Sequence, residues 1–181
     1  MAKVFAGIDS DLERFLLAQR VFFVATAPLA ASGHVNLSPK GLDSFRVLDP
    51  TTVAYLDLTG SGAETVAHLR ENGRIVLMFC AFEGPPRIVR LHGQGEVVAA
   101  EIHQDLFPAL PGPRAVIVIR LDRVSDSCGY GVPQLKFAGV RPQMAAWAES
   151  KERSSGLAQY RLENNQVSID GLPALDLNPF L

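Results

Sequence analysis

Residues 52–82, TVAYLDLTGSGAETVAHLRENGRIVLMFCAF, read in order as strand, small-residue turn, short helix and strand. A helix that starts where a strand ends offers unpaired backbone N–H groups and a favourable dipole to an anion, so the junction is a natural seat for a phosphate. Thr59, Gly60, Ser61, Gly62 and Ala63 keep bulk away from that turn, and the hydroxyls of Ser61 and Thr65 lie within reach of it. The same residues have a purely structural reading, because Ser61 and Glu64 have the spacing of a capping box that satisfies the helix's own donors. The segment lacks the Lys-Ser/Thr ending of a nucleotide P-loop, and Glu64 adds a negative charge to the first turn. A phosphate here needs positive charge from elsewhere in the chain, and Lys40 and Arg46 are the candidates.

Working outward, Ser10 with Glu13 marks a helix start, and Leu12, Phe15, Leu16 and Gln19 continue it with an apolar face expected to cover the end of a sheet. Val21–Ala27 and His34–Ser38 read as a hairpin, followed by strands at Phe45–Leu48 and Thr52–Leu58 and a helix over Ala63–Asn72. Arg74–Phe82 is almost wholly apolar, which suits a central strand. In Arg87–Val98 the apolar and polar residues alternate, with Gly93 and Gly95 on the apolar side, where glycine marks a bulge or another backbone close by. A short helix is expected over Glu101–Phe107, then a strand over Arg114–Val124, whose run Ala115–Ile119 is expected to face a subunit partner. From Ser125 the pattern turns to loop, with helices at Pro142–Arg153 and Leu157–Asn164 and an irregular apolar tail, SIDGLPALDLNPFL. One helix inserted in a mostly β chain describes an α+β protein built on an antiparallel barrel, not a doubly wound sheet.

The 181 residues, 48% of them hydrophobic, and the formal net charge of −2 suit a single domain with a full core. Charges of both signs are interspersed, which gives no reason to expect nucleic acid as a partner, and no apolar run reaches the length of a membrane span. The N-terminus lacks the apolar centre of a signal peptide, so the default location is cytoplasmic. Cys80 and Cys128 are far apart and have no metal-binding spacing, so two free thiols and no metal site are expected. The four histidines are scattered over different elements, and no serine has a hydrolase context, so no catalytic residue is named.

Asn36, Ser38 and Lys40 fall on one face of an extended HVNLSPKG segment and form a polar stripe that ends in a cation. Together, HVNLSPKG, VAYLDLTGSGAETVAHLRENGRIVLMF and PPRIVRLHGQGEVV resemble, in order and spacing, the pyridoxamine 5′-phosphate oxidase-like family of FMN-binding split-barrel proteins, over roughly residues 12 to 125. The DSCGYGVP and SIDGLPAL pieces are similar to a subgroup without a known substrate. The resemblance implies an antiparallel split β-barrel with short peripheral helices, mainly β within the α+β class. It would form one FMN-binding domain over 1–181, with 126–181 as a C-terminal loop and helical extension.

It further implies a homodimer with FMN between subunits. Ser38 and Lys40 would lie on its phosphate or ribityl chain, Asp57, Leu58, Thr59, Ser61 and Thr65 would line it, and Arg87 would start a strand that reaches the flavin. The implied function is an FMN-dependent oxidoreductase exchanging hydride at flavin N5 with a small-molecule substrate and a separate electron donor or acceptor. The alternatives are the deazaflavin F420 in place of FMN, a non-catalytic flavin or haem binder, with His92 or His103 as the haem ligand, or a dimeric barrel that has lost its cofactor, an option that Glu64 at the phosphate end keeps open. The chain has Glu64 and Thr65 where the oxidases proper carry Arg-Lys, and its tail ALDLNPFL has no Arg or His, which argues against pyridoxamine phosphate as substrate. With its charge assigned to ligand, Lys40→Ala is expected to weaken FMN binding and leave the folded protein largely unaffected.

Overall fold

The computed structural model describes residues 3–154 and 156–176. Eight strands form one antiparallel sheet: β1 (Lys3–Phe5), β2 (Phe22–Thr26), β3 (Asn36–Lys40), β4 (Phe45–Asp49), β5 (Thr52–Leu58), β6 (Arg74–Cys80), β7 (Ile88–Ala99) and β8 (Pro113–Ser127). The helices are α1 (Ser10–Ala18), α2 (Glu64–Asn72), the short α3 (Ala100–His103), α4 (Gln143–Arg153) and α5 (Gly156–Asn164), and one 3-10 turn covers Gln104–Leu106. The strand order is β3-β2-β6-β7-β8-β5-β4, and β1 also pairs with β8. The sheet curls but does not close between β3 and β4, which gives the mainly β split barrel with peripheral helices expected of the sequence.

The curl has local causes. Between His92 and Gly93 the β7–β8 register shifts, and a Cβ on Gly93 would collide with the carbonyl of Arg120, so only glycine lets the two backbones approach there. Inside, Leu12 and Leu16 of α1 join Phe22, Val24, Tyr55, Leu77, Phe79 and Ile117 in one core. Phe22 stacks on Phe79 at 5.3 Å, and Phe45 meets Phe79 edge-on at 4.8 Å.

Several boundaries differ from the expectation. Asp9, not Ser10, caps α1, its Oδ1 accepting from the N–H groups of Asp11 and Leu12 at 3.1 and 2.8 Å. β8 runs on to Ser127 because β7 and the unforeseen β1 flank its last residues, Lys3 lying opposite Asp126 and Ile88 opposite Ser127. The run Ala115–Ile119 is covered by this chain itself: Ala115, Ile117 and Ile119 lie in the main core, and Val116 packs with Ala54, Leu56 and Phe107. β6 is buried on one face, while Val76 and Met78 are half-buried on the other. The apolar tail docks as far as it is described, since Ala174 is fully buried against Ala63, Val66 and Ala67 of the α2 region; residues 177–181 lie outside the described residues. Trp147 packs edge-on against Tyr160 at 4.9 Å, Cys80 is a buried free thiol and Cys128 an exposed one.

Candidate functional site

β3 is an edge strand whose side chains alternate cleanly. Val35 before it and Leu37 within it point outward and are 74% and 64% exposed, whereas Asn36, Ser38 and Lys40 are half-buried on the opposite side. The stripe is held by side-chain hydrogen bonds. Asn36 Nδ2 donates to Thr65 Oγ1 at 3.0 Å and to Thr26 Oγ1 at 3.2 Å, and Ser38 Oγ donates to Asn36 Oδ1 at 3.1 Å. Thr26 Oγ1 lies 2.9 Å from His68 Nδ1, tying β2 to α2. The Nε2 of buried His68 and the hydroxyl of buried Tyr55 have no hydrogen-bond partner among the described residues.

The stripe ends on a buried carboxylate. Asp57 follows Val53 and Tyr55 on the inward face of β5 and is wholly inaccessible to solvent. Lys40 Nζ donates to its Oδ1 at 2.8 Å, and Arg114 Nη2 and Nε donate to its Oδ2 at 2.6 and 2.9 Å. Burial is the largest influence on this carboxyl and would raise its pKa, but the charges of Lys40 and Arg114, with their hydrogen bonds, outweigh it and hold the pKa below the ordinary value. Tyr55, also buried and close to the Asp57 charge, is pushed well above the usual phenol range.

Arg114 owes its direction to a bulge. Asp57 lies opposite Ala115 and Leu58 opposite Pro113, so Arg114 is the extra residue of β8, and its side chain turns in to Asp57. Its Nη1 continues to the carbonyl of Gly62 at 2.8 Å and to Asn165 Oδ1 at 3.0 Å. Fully buried Asn165 in turn donates from Nδ2 to the carbonyl of Gly60 at 3.0 Å. Arg161 Nε donates to Thr59 Oγ1 at 2.9 Å and Nη2 to the carbonyl of Pro113 at 2.7 Å; burial, then the nearby charge of Arg114, lowers its pKa. The turn Thr59–Gly62 is therefore braced from behind by α5 and the residues after it.

The front of the turn stays open. No side chain caps α2, whose N-cap position is Ala63, so the expected Ser61–Glu64 capping box does not form. Glu64 Oε2 instead accepts from the Ile169 N–H at 3.1 Å, because the C-terminal segment passes alongside. A Cβ built on Gly60 would meet nothing within 4 Å, one on Gly62 would meet only the Glu64 side chain, and Ser61 is exposed.

Of the residues singled out from sequence, Ser38 and Thr65 meet in one hydrogen-bond network through Asn36, and Lys40 and Asp57 meet in a second with Arg114. Leu58, Thr59 and Ser61 follow on the adjoining strand end and turn. Arg87 stands apart, bonded to Asp126 and Asp11 at 3.3 Å each and lying over the Phe15 ring. Arg46 is not available as the missing cation, since its guanidinium binds the Asp43 carboxylate at 2.9 and 3.2 Å and donates to the carbonyl of Leu106 at 2.7 Å. Arg114, Arg161 and Asn165 were not foreseen. The sequence signal for Arg114 was an aspartate at an inward position of an otherwise apolar strand, which demands a buried cation; Asn165 left no local signal. The described residues contain no cluster of three or more His, Cys, Asp or Glu suited to a metal ion, and no helix among them is long and apolar enough to cross a membrane.

The family model described as pyridoxamine 5′-phosphate oxidase matches residues 8–128, which hold seven of the eight strands. A curated relative, the pyridoxamine 5′-phosphate oxidase family protein ustO of Aspergillus flavus, is 40% identical over 192 aligned positions, covering 94% of this chain and 77% of the relative. Among solved structures, HupZ of Group A Streptococcus superposes with a TM-score of 0.51 at 25% identity, covering 65% of this chain and 91% of its own. A candidate pyridoxamine 5′-phosphate oxidase from Lactobacillus delbrueckii gives 0.50 at 20% identity, covering 67% and 98%, a likeness of fold. By the match over residues 8–128 and the 40% identity to a relative aligned over 94% of the chain, this chain belongs to the pyridoxamine 5′-phosphate oxidase family.

Proposed function

We propose that this chain is a flavin-binding oxidoreductase that takes FMN, works as a homodimer and acts on a small molecule other than pyridoxamine phosphate. The observation that carries the reading is the uncapped start of α2 behind an open Gly60–Ser61 turn, with Lys40 and Arg114 set against the single carboxylate of Asp57 beneath it. Two cations against one anion leave one positive charge in excess, and oriented N–H donors add to it. The residues present thus fit a phosphate. Glu64 lies next to Gly62, which confines the anion to the Gly60–Ser61 side.

In this reading the Gly60 and Ser61 N–H groups and the Ser61 hydroxyl would hold the phosphate, and Ser38, Asn36 and Thr65 would present hydroxyl and amide groups to the ribityl chain. Asp57 acts through Lys40, whose ammonium it holds in place, and Leu58 and Thr59 shape the strand end. Arg87 is left outside this seat. A bound flavin supplies the hydride chemistry at N5; the chain binds, orients and excludes water. The half-buried outward faces of β2 and β6, with Phe23, Val76 and Met78 beside exposed Leu37, support a second copy as partner.

The test is an absorbance spectrum of the purified protein before and after FMN addition and desalting, repeated for Ser61→Asp, which puts a carboxylate into the open seat without touching the core. Flavin retained by the wild type and lost by the variant is expected. Equal retention by both would remove the phosphate from this turn. A Soret band would favour a haem binder, and retention of F420 in place of FMN would change the cofactor and leave the seat intact.

A further inference from the structure

Beyond Lys40 the chain turns through Gly41–Ser44 to β4, and this turn borders a second site. A cavity of about 380 Å³ opens there. Its floor is the aromatic cluster Phe22, Phe45 and Phe79, with Phe137 as one wall. Volume and lining are those of a small-ligand pocket, which is mostly apolar with few polar groups to fix orientation.

Two features distinguish it from a packing defect. Leu42 and Asp43 are the only two non-glycine residues among those described with positive φ, 62° and 56°, and they are consecutive on the cavity rim. A leucine rarely adopts this conformation, and strain of this kind persists only where the surroundings hold it, often at binding sites. Here Arg46 holds it, binding both carboxylate oxygens and the carbonyl of Asp43. Arg46 therefore braces the rim, and the Asp43 carboxylate already has its cation. The second feature is Arg20. It lies at the mouth, is exposed, and among the described residues its guanidinium lies over the Phe137 ring, 5.4 Å from the centroid, and forms no ion pair.

An apolar floor built of aromatic rings with one unpaired guanidinium at the mouth matches a flat aromatic acid, its ring on the phenylalanines and its carboxylate on the planar fork of arginine. We propose that this cavity binds a one- or two-ring aromatic carboxylate, oriented by Arg20. Because Gly41 follows Lys40 directly, the ligand would lie next to the polar stripe, as a substrate beside a cofactor would; the binding itself does not depend on the flavin reading.

The probes are 2-naphthoate and its neutral counterpart 2-naphthalenemethanol, titrated calorimetrically into the wild type and into Arg20→Met, with and without saturating FMN. Methionine keeps the apolar stem of an exposed residue, so the fold is not at risk. The expected result is one naphthoate per chain, bound about tenfold more tightly than the alcohol, as one charge-assisted contact warrants. The difference should vanish in the variant and persist with FMN present. No binding at millimolar naphthoate, equal affinity for acid and alcohol, or discrimination that survives Arg20→Met would each overturn the proposal. Displacement of naphthoate by FMN would assign the cavity to the flavin and overturn it too. Failure of FMN to bind at all, with naphthoate still discriminated, would strike the flavin reading alone.

Discussion

Around Asp57 two cations converge on one carboxylate in the interior, whereas beside Leu42 a single guanidinium stands at a cavity mouth with an aromatic ring as its neighbour. Both regions border the same β3–β4 crossing of the barrel, yet in the first both cations are already bound to a buried anion and only their net charge is left over, while in the second a whole guanidinium has no ion-pair partner. Cations are therefore better ranked as ligand-binding candidates by which anion already faces them than by their place in a motif. By that criterion Lys40 is half structural, Arg46 wholly so, and Arg20 is free.

The comparison breaks first at Arg114, which is only 4% exposed at its side chain. Arg114→Met leaves the buried Asp57 with one partner and should cost about 3–5 kcal/mol in urea unfolding, whereas Arg20→Met should change stability by less than about 0.5 kcal/mol. Similar losses from the two variants would erase the distinction. Lys40 comes next. Its side chain is 21% exposed, so water replaces part of what is lost, and Lys40→Ala should cost about 1–2 kcal/mol. This revises the expectation that the substitution spares the fold, and a double-mutant cycle with Asp57→Asn measures the coupling.

Acid sharpens the same contrast. Because the Asp57 pKa is depressed in the folded protein, its contribution is complete above the unfolded value of about 3.9 and is lost as pH falls through the lower folded value. Asp57→Asn should therefore remove a step of acid destabilisation seen below about pH 4 and leave the profile near neutrality flat. At the other end of the scale, His34 Nδ1 lies 2.7 Å from Asp170 and the His34 N–H donates to the same carboxylate at 2.8 Å. The hydrogen bond and charge of Asp170 raise the His34 pKa, so this tie is complete below the ordinary value of about 6.5 and weakens as pH rises through the raised one. Amide exchange at Ile169 and Leu172, corrected for its intrinsic pH dependence, should rise across that range, and Asp170→Asn should abolish the trend. The smallest effect is expected at Leu42→Gly, where relief of strain and the added freedom of the unfolded chain nearly cancel, leaving a change within about 1 kcal/mol.

The elements were legible because their patterns are local. The alternation in β7, the glycines at the curl, the GSGAET turn and the stripe Asn36–Ser38–Lys40 each appear within a dozen residues. The site's second half was not, because it depends on register and on contacts distant in sequence. A one-residue bulge decides that Arg114 faces Asp57, and Asn165 reaches Gly60 across 105 positions. The capping box failed for the same reason, since Glu64 found a partner in Ile169, equally far along the chain.

β8 pairs with β1, β5 and β7, and this affects how the protein is made. During translation β1 leaves the ribosome with no partner, and β5 and β7 each lack one neighbour until Ser127 has followed them out of the exit tunnel. At about 5–20 residues per second that delay is on the order of ten seconds. For that time the nascent chain exposes unpaired strand edges, so the sheet is completed late, and the α5 segment, made later still, braces the Gly60 turn only after that.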